Sequence, residues 1–216
     1  MCRFMSAIVM RNGDIICDPR IDSHEELIEK FNIHDGPCQL DRFCRIEFIP
    51  PPDDWSKLFD TSAWKLRVDD KFTPEWFSHE KIRLQLISKV QTLLIQEERN
   101  KLEGGCWILG SGAKIKEAKD VLIRWMVKDA SIENLTGHSS IDSMLDSSSI
   151  KEMRDFSEVG VMYNHTKIGI MHDQSEVGWM CHCSRVMEKR DNSKIKLIWS
   201  SAKVIRTYDN KGKRVY

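Results

Sequence analysis

With 216 residues, the chain can bury a substantial core as one large domain or two small ones. Its 33 Lys and Arg balance 33 Asp and Glu, so no global field draws it to nucleic acid or to an anionic membrane. No run approaches the roughly 20 apolar residues of a membrane span, and the opening lacks the apolar stretch of a signal peptide, so a soluble, cytoplasmic chain is expected. Its seven cysteines are an odd number at irregular spacing, and reduced thiols are the expected state. Neither Cys38 with Cys44 nor Cys181-His182-Cys183 has the paired spacing of a structural zinc site, so neither metal nor cofactor is expected.

The chain opens Met1-Cys2-Arg3-Phe4. Removal of the methionine would leave a thiol beside its own α-amine, nucleophile and base in one residue. His24 would be placed to orient or deprotonate that thiol. The opening resembles that of class II glutamine amidotransferases, and the resemblance implies a hydrolase or transferase using Cys2. It covers these four residues only; the later Asn-Gly and Asp-Gly-Trp-Gly-like elements of that family are not recognisable. The competing reading is a small buried cysteine at the start of a sheet.

Residues 5–17 read as a β-hairpin, with Asn12-Gly13-Asp14 supplying the positive-φ turn. Ser23-His24-Glu25-Glu26 has the form of a capping box and predicts a helix over 24–31. Phe43 to Ile49 and Trp64 to Val68 alternate apolar with polar, as half-buried strands do. Thr73-Pro74-Glu75 looks like a helix start, and Ile82, Leu86, Val90, Leu93 and Leu94 form a stripe that carries the expected helix to about Asn100. Gly104-Gly105 would end an α+β domain of residues 1–105: a small sheet with one long helix.

From Ile132 to Val204 a β-branched residue returns every nine positions: Ile132, Ile141, Ile150, Val159, Ile168, Val177, Val186, Ile195, Val204. Two residues before each stands a small one, from Ala130 to Ala202, and three after most of them stands Leu135, Met144, Met153, Met162, Met171 or Met180. Nine residues are two and a half helical turns, so this column cannot be one face of a helix. Nine is also odd, so a straight strand fails, and the chain must turn or bulge once per repeat. The pattern predicts a short-repeat parallel β-solenoid over 106–216, with rungs about 4.8 Å apart. Two repeats per turn would give about five coils, although sequence alone leaves the number per turn open. The repeats resemble pentapeptide-repeat solenoids in their small residue two before a central aliphatic. They depart from them in step length and in the methionine column. Calcium-binding nonapeptide repeats are excluded because their paired glycines and regular aspartate are missing. Across its length, with an opening of the form CRF-x-SAIV-x-x-NGD, the chain resembles proteins of bacteriophages and prophages, a likeness that implies no mechanism.

Two surface features follow from the repeat. Asp146, Asp155, Asn164, Asp173, His182, Asp191, Ser200 and Asp209 share a corner position where Asp and Asn favour tight turns. With two repeats per coil, Asp155, Asp173, Asp191 and Asp209 would stack as an acidic edge whose repulsion a basic partner could relieve. Tyr163, Trp199 and Tyr208 share another repeat position, with Trp179 in a neighbouring column, and would form either a contact patch or covers for a narrow core. The expected function is non-enzymatic protein–protein recognition, with an accessory role towards a host or defence protein if the phage likeness holds. The alternative is an enzyme using Cys2 and His24. A protein partner is expected, with neither membrane nor nucleic acid, and with self-association through the solenoid end if the tail from Asp209 to Gly212 leaves it open.

Overall fold

A computed structural model describes residues 5–36, 38–51 and 57–215. The chain divides into two compact units, Met1–Thr92 and Leu93–Tyr216.

The first unit holds strands β1 (Met5–Met10) and β2 (Ile15–Ile16), helix α1 (His24–Lys30), strands β3 (Phe43–Ile49) and β4 (Lys65–Val68), and helix α2 (His79–Gln91). The strands form one antiparallel sheet in the order β2-β1-β3-β4. The first hairpin turns as its Asn-Gly requires: Gly13 sits at φ +90°, and the Met10 N–H donates to Asp14 O at 2.8 Å. Ser23 caps α1 by accepting from the Glu26 N–H, as expected, and its hydroxyl donates to Glu25. Ile8, Leu27 and Phe43 are fully buried on one side of the sheet. Elsewhere in the unit the Phe48 and Trp64 rings pack 5.3 Å apart, and the Trp64 indole N–H donates to Leu58 O.

Helix α2 ends at Gln91, about nine residues before the expected limit. The Thr92 hydroxyl donates to Lys89 O at 2.7 Å and caps the end. Leu94, the last residue of the helical stripe in the sequence, instead pairs in parallel with Ile108, and Ile95 pairs with Leu109. Tertiary pairing overrides a local periodicity that a helix and a strand share over so short a run.

The second unit is a parallel β-solenoid. Its winding begins with β5 (Leu94–Ile95), β6 (Glu98–Glu103), β7 (Cys106–Leu109), β8 (Lys114–Lys119) and β9 (Leu122–Met126). It continues with β10 (Ser131–Thr136), β11 (Ser140–Met144), β12 (Ser149–Met153), β13 (Glu158–Met162) and β14 (Lys167–Met171). It closes with β15 (Glu176–Met180), β16 (Arg185–Lys189), β17 (Lys194–Ile198), β18 (Lys203–Tyr208) and the short β19 (Arg214–Val215). Odd-numbered strands β5 to β17 make one sheet of seven; even-numbered strands β6 to β18 make the other, which β19 extends by antiparallel pairing. Seven rungs at about 4.8 Å span on the order of 30 Å, longer than the five coils expected, because β5 to β8 precede the visible pattern.

From Ser131 onward the register advances by eighteen residues per coil: Ile132 lies beside Ile150, Ile150 beside Ile168, and Ile168 beside Val186. In the facing sheet Ile141, Val159 and Val177 stack likewise, as do Met144, Met162 and Met180. These side chains are fully buried and form the continuous core of the unit. A period-two strand would not point residues three apart inward; each short strand does so because the residue after its central aliphatic drops out of the pairing register. Earlier coils are shorter. Leu102 pairs with Ala118, sixteen residues on, and Ala118 with Leu135, seventeen on, while a bulge separates Trp107 from Ile108.

Candidate functional site

Every coil must reverse direction at two narrow corners, and from Asp120 to Ser200 each corner sets one residue in the left-handed region. On one side these are Lys128, Asp146, Asn164, His182 and Ser200; on the other they include Asp120, Asp155, Asp173 and Asp191. Asp and Asn tolerate this conformation better than other residues with side chains. The aspartates also bridge between coils. Asp155 accepts from the Gly137 N–H at 2.8 Å, Asp173 from the Asp155 N–H at 3.1 Å, and Asp191 from the Asp173 N–H at 3.3 Å. Asp146 does the same for Lys128 on the opposite side.

Asp155, Asp173 and Asp191 therefore do stack on one edge, and each carboxylate already has a donor inside the fold. Backbone N–H dipoles offset their mutual repulsion, which sequence reasoning had left to a partner's cations. His172 adds its Nδ1 at 3.5 Å from Asp191. Asp209 leaves the column: its carboxylate accepts from the N–H groups of Lys211 and Lys213 and shapes the turn into β19.

The aromatic residues divide among three places. Tyr163 and Trp199 lie on the same corner two coils apart, following Met162 and Ile198, with Cys181 between them. Tyr208 falls on the other side of the coil, where the Arg190 guanidinium lies 5.5 Å over its ring. Trp179 projects from the outer face of β15, in register with Val161 on β13 and Leu197 on β17. An eighteen-residue coil separates positions nine residues apart onto opposite sides, so the shared repeat position did not mean a shared face.

The last coils nevertheless carry a contiguous apolar strip. Trp179 is 54 % exposed, Leu197 49 %, Ile198 46 % and Trp199 69 %, with Tyr163 at the rim. Leu197 and Ile198 were not anticipated. Ile198 continues the buried column of Met144, Met162 and Met180, but among the described residues β17 is the outermost strand of its sheet and no further strand pairs with it. The replacement of methionine by Lys189 and then Ile198 at the end of the repeat was the signal in the sequence that could have pointed there.

His24, the expected partner of the Cys2 thiol, is buried. Its Nε2 is 2.9 Å from Ile46 O, to which it donates, and its Nδ1 is 3.6 Å from Asp69, so the ring ties α1 to β3. Cys2 lies outside the described residues, so the geometry of that pair is not defined. The thiols of Cys17 and Cys44 are pushed up by burial, Cys44 to about 12, which keeps both protonated and poorly nucleophilic at neutral pH. Cys181 is buried, Cys183 is exposed beside Ser201, and among the described residues no His, Cys, Asp or Glu cluster is arranged to hold a metal. No helix among them is long and apolar enough to cross a membrane.

No family model, curated protein or solved structure matches the chain.

Proposed function

We propose that this chain is a non-enzymatic protein-recognition module whose contact surface is the strip formed by Trp179, Leu197, Ile198 and Trp199, bordered by Tyr163. One observation carries the reading: large apolar side chains in adjacent strands stay exposed together, whereas Met144, Met162 and Met180 in the column of Ile198 are buried and Trp125 and Val161 in the column of Trp179 are half-buried. Contiguous apolar patches of this kind mark interaction sites, and Trp and Tyr dominate binding hot spots. A ladder of registered rungs presents them with little ordering cost on association. The corner aspartates serve the turns in this reading. Each nine-residue step is one side of a coil, and residues 1–92 form a separate α+β domain. The resemblance of the opening to phage proteins supports an accessory role towards a host protein in the cytoplasm.

The test compares partners captured from host lysate by the full chain, by a Trp179→Ser/Trp199→Ser variant, and by an Asp155→Asn/Asp173→Asn/Asp191→Asn variant. Each variant is first shown to keep the wild-type circular dichroism. Proteins captured by wild type should disappear with the tryptophan variant and persist with the asparagine variant. An unchanged set with the tryptophan variant would sink the assignment of the strip.

A further inference from the structure

The two sheets end differently. The even-numbered sheet is finished by the chain itself: after β18 the backbone reverses at Asp209–Lys213, and β19 covers its edge. The odd-numbered sheet stops at β17 with no strand beyond it among the described residues. In each earlier coil, the carbonyls flanking the two ends of the strand are taken by the next. Ser157 O accepts from the Glu176 N–H and Ser175 O from the Lys194 N–H; Met162 O accepts from the Cys181 N–H and Met180 O from the Trp199 N–H. The next acceptors in these two series are Ser193 O and Ile198 O, which face outward from the terminal rung.

Charge is distributed as unevenly as pairing. The chain as a whole is neutral, yet residues 194–216 hold seven Lys and Arg against one Asp, a net charge of +6. Lys194 and Lys196 lie on β17 itself and Lys203 on β18; Glu176 pairs with Lys196, and Glu188 with Arg206. Lysines on an open edge strand repel a second identical edge, which is how such edges avoid self-pairing. The same lysines attract a strand of opposite charge.

We propose that β17 is a docking edge for an extended segment of a partner protein that alternates acidic with β-branched or aromatic residues. The segment adds as an eighth strand: its N–H groups donate to the outward carbonyls at the two ends of β17, its apolar side chains lie beside Ile195 and the exposed Leu197, and its carboxylates meet Lys194 and Lys196. This is strand addition, in which backbone bonds give affinity and alternate side chains give selectivity. The inference rests on the protein-recognition reading and specifies its occupant.

The experiment uses the full chain and measures binding by fluorescence anisotropy to labelled probes. These are a peptide of four Glu-Val pairs, its Lys-Val counterpart, the Glu-Val peptide with alternate amides N-methylated, and a short oligothymidine. The Glu-Val peptide should bind at least about tenfold more tightly than the other three, a difference of about 1.4 kcal/mol. A Lys194→Glu/Lys196→Glu variant should reverse the preference between the two charged peptides. Equal binding of the N-methylated peptide would overturn strand addition, and tighter binding of oligothymidine would overturn a protein occupant in favour of a nucleic acid. Concentration-dependent self-association in sedimentation, abolished by the same double variant, would overturn it in favour of a second copy. If the Glu-Val peptide fails to bind while the tryptophan variant still loses captured proteins, strand addition falls and the recognition surface stands.

Discussion

The Asp173 carboxylate accepts a hydrogen bond from the backbone N–H of Asp155, its equivalent one coil earlier, at 3.1 Å. Asp173 is itself in the left-handed region at φ +53°. One side chain thus satisfies the neighbouring corner and tolerates the backbone conformation of its own. Asp173→Ala should lose both, about 1 kcal/mol for the bond and 1–2 kcal/mol for the conformation. Asp173→Asn should retain most of the stability, and Asp173→Gly should lose only the bond. Urea unfolding of the three variants checks the ranking, which inverts between Ala and Gly if conformation is irrelevant.

Acid stability should depend on Asp18. Hydrogen bonds from Arg20 and from Lys30 hold its carboxyl well below the usual carboxylate range. Because the folded pKa lies below the unfolded value of about 3.9, the contribution is fully present above that pH. It is lost as pH falls from there towards the folded pKa. Asp18→Asn should therefore lower stability at neutral pH and flatten the acid limb below about pH 4 relative to wild type. Thermal melts between neutrality and strong acid measure it; parallel curves would show that Asp18 is not linked to folding.

The interior offers a stabilising change. Lys189 stands in register after Met153 and Met171 and before the half-buried Thr207, where the buried apolar column ends. Its ammonium must reach water while its stem occupies a core position. Lys189→Met should stabilise the chain by about 1 kcal/mol through added apolar burial. With the neighbouring rungs unaltered, a fall in the urea midpoint would contradict this account.

Three strand glycines are required by close approach, among them Gly169, where a Cβ would lie 2.4 Å from Lys151 O. A Cβ at Gly178 would lie 2.6 Å from Gly160 O, and one at Gly160 would lie 2.7 Å from Asp142 O. Surface strand positions ordinarily tolerate substitution within about 0.5 kcal/mol. Gly178→Val should instead cost about 1–3 kcal/mol, because the rung above must shift. The thermal midpoint would fall by several degrees; no change would mean that the rungs move apart freely.

Deleting residues 209–216 should uncover the edge of β18. An uncovered strand is a template for pairing, so the truncated chain should show a higher association state by light scattering. An unaltered mass would mean that β19 does not protect that edge.

Much of the solenoid was legible because its interior repeats a single geometric demand: Ile132, Ile150 and Ile168 must each fill the same space over one another. The corner aspartates were legible as turn residues for the same reason. Their bonds to the preceding coil were not, since a partner eighteen residues away is invisible until the winding is known. The first coils were hidden by their length. Steps of sixteen and seventeen residues put Leu102 and Ala118 out of phase with the column that runs on from Leu135, and the sequence before Asn100 passes for the end of a helix. The exposed strip was half legible. Trp179 and Trp199 stand out in any sequence, whereas Leu197 and Ile198 look like two more core residues until β17 is known to be the last rung of its sheet.

The constant step of the later coils has an implication for how such a chain changes in length. Duplicating or losing one whole turn of winding after Ser131 leaves every remaining side chain above a like neighbour. An insertion of a few residues within a turn rotates all that follows out of alignment. Genetic drift in this half of the molecule should therefore move in complete turns, making it a ruler graduated in units of eighteen residues.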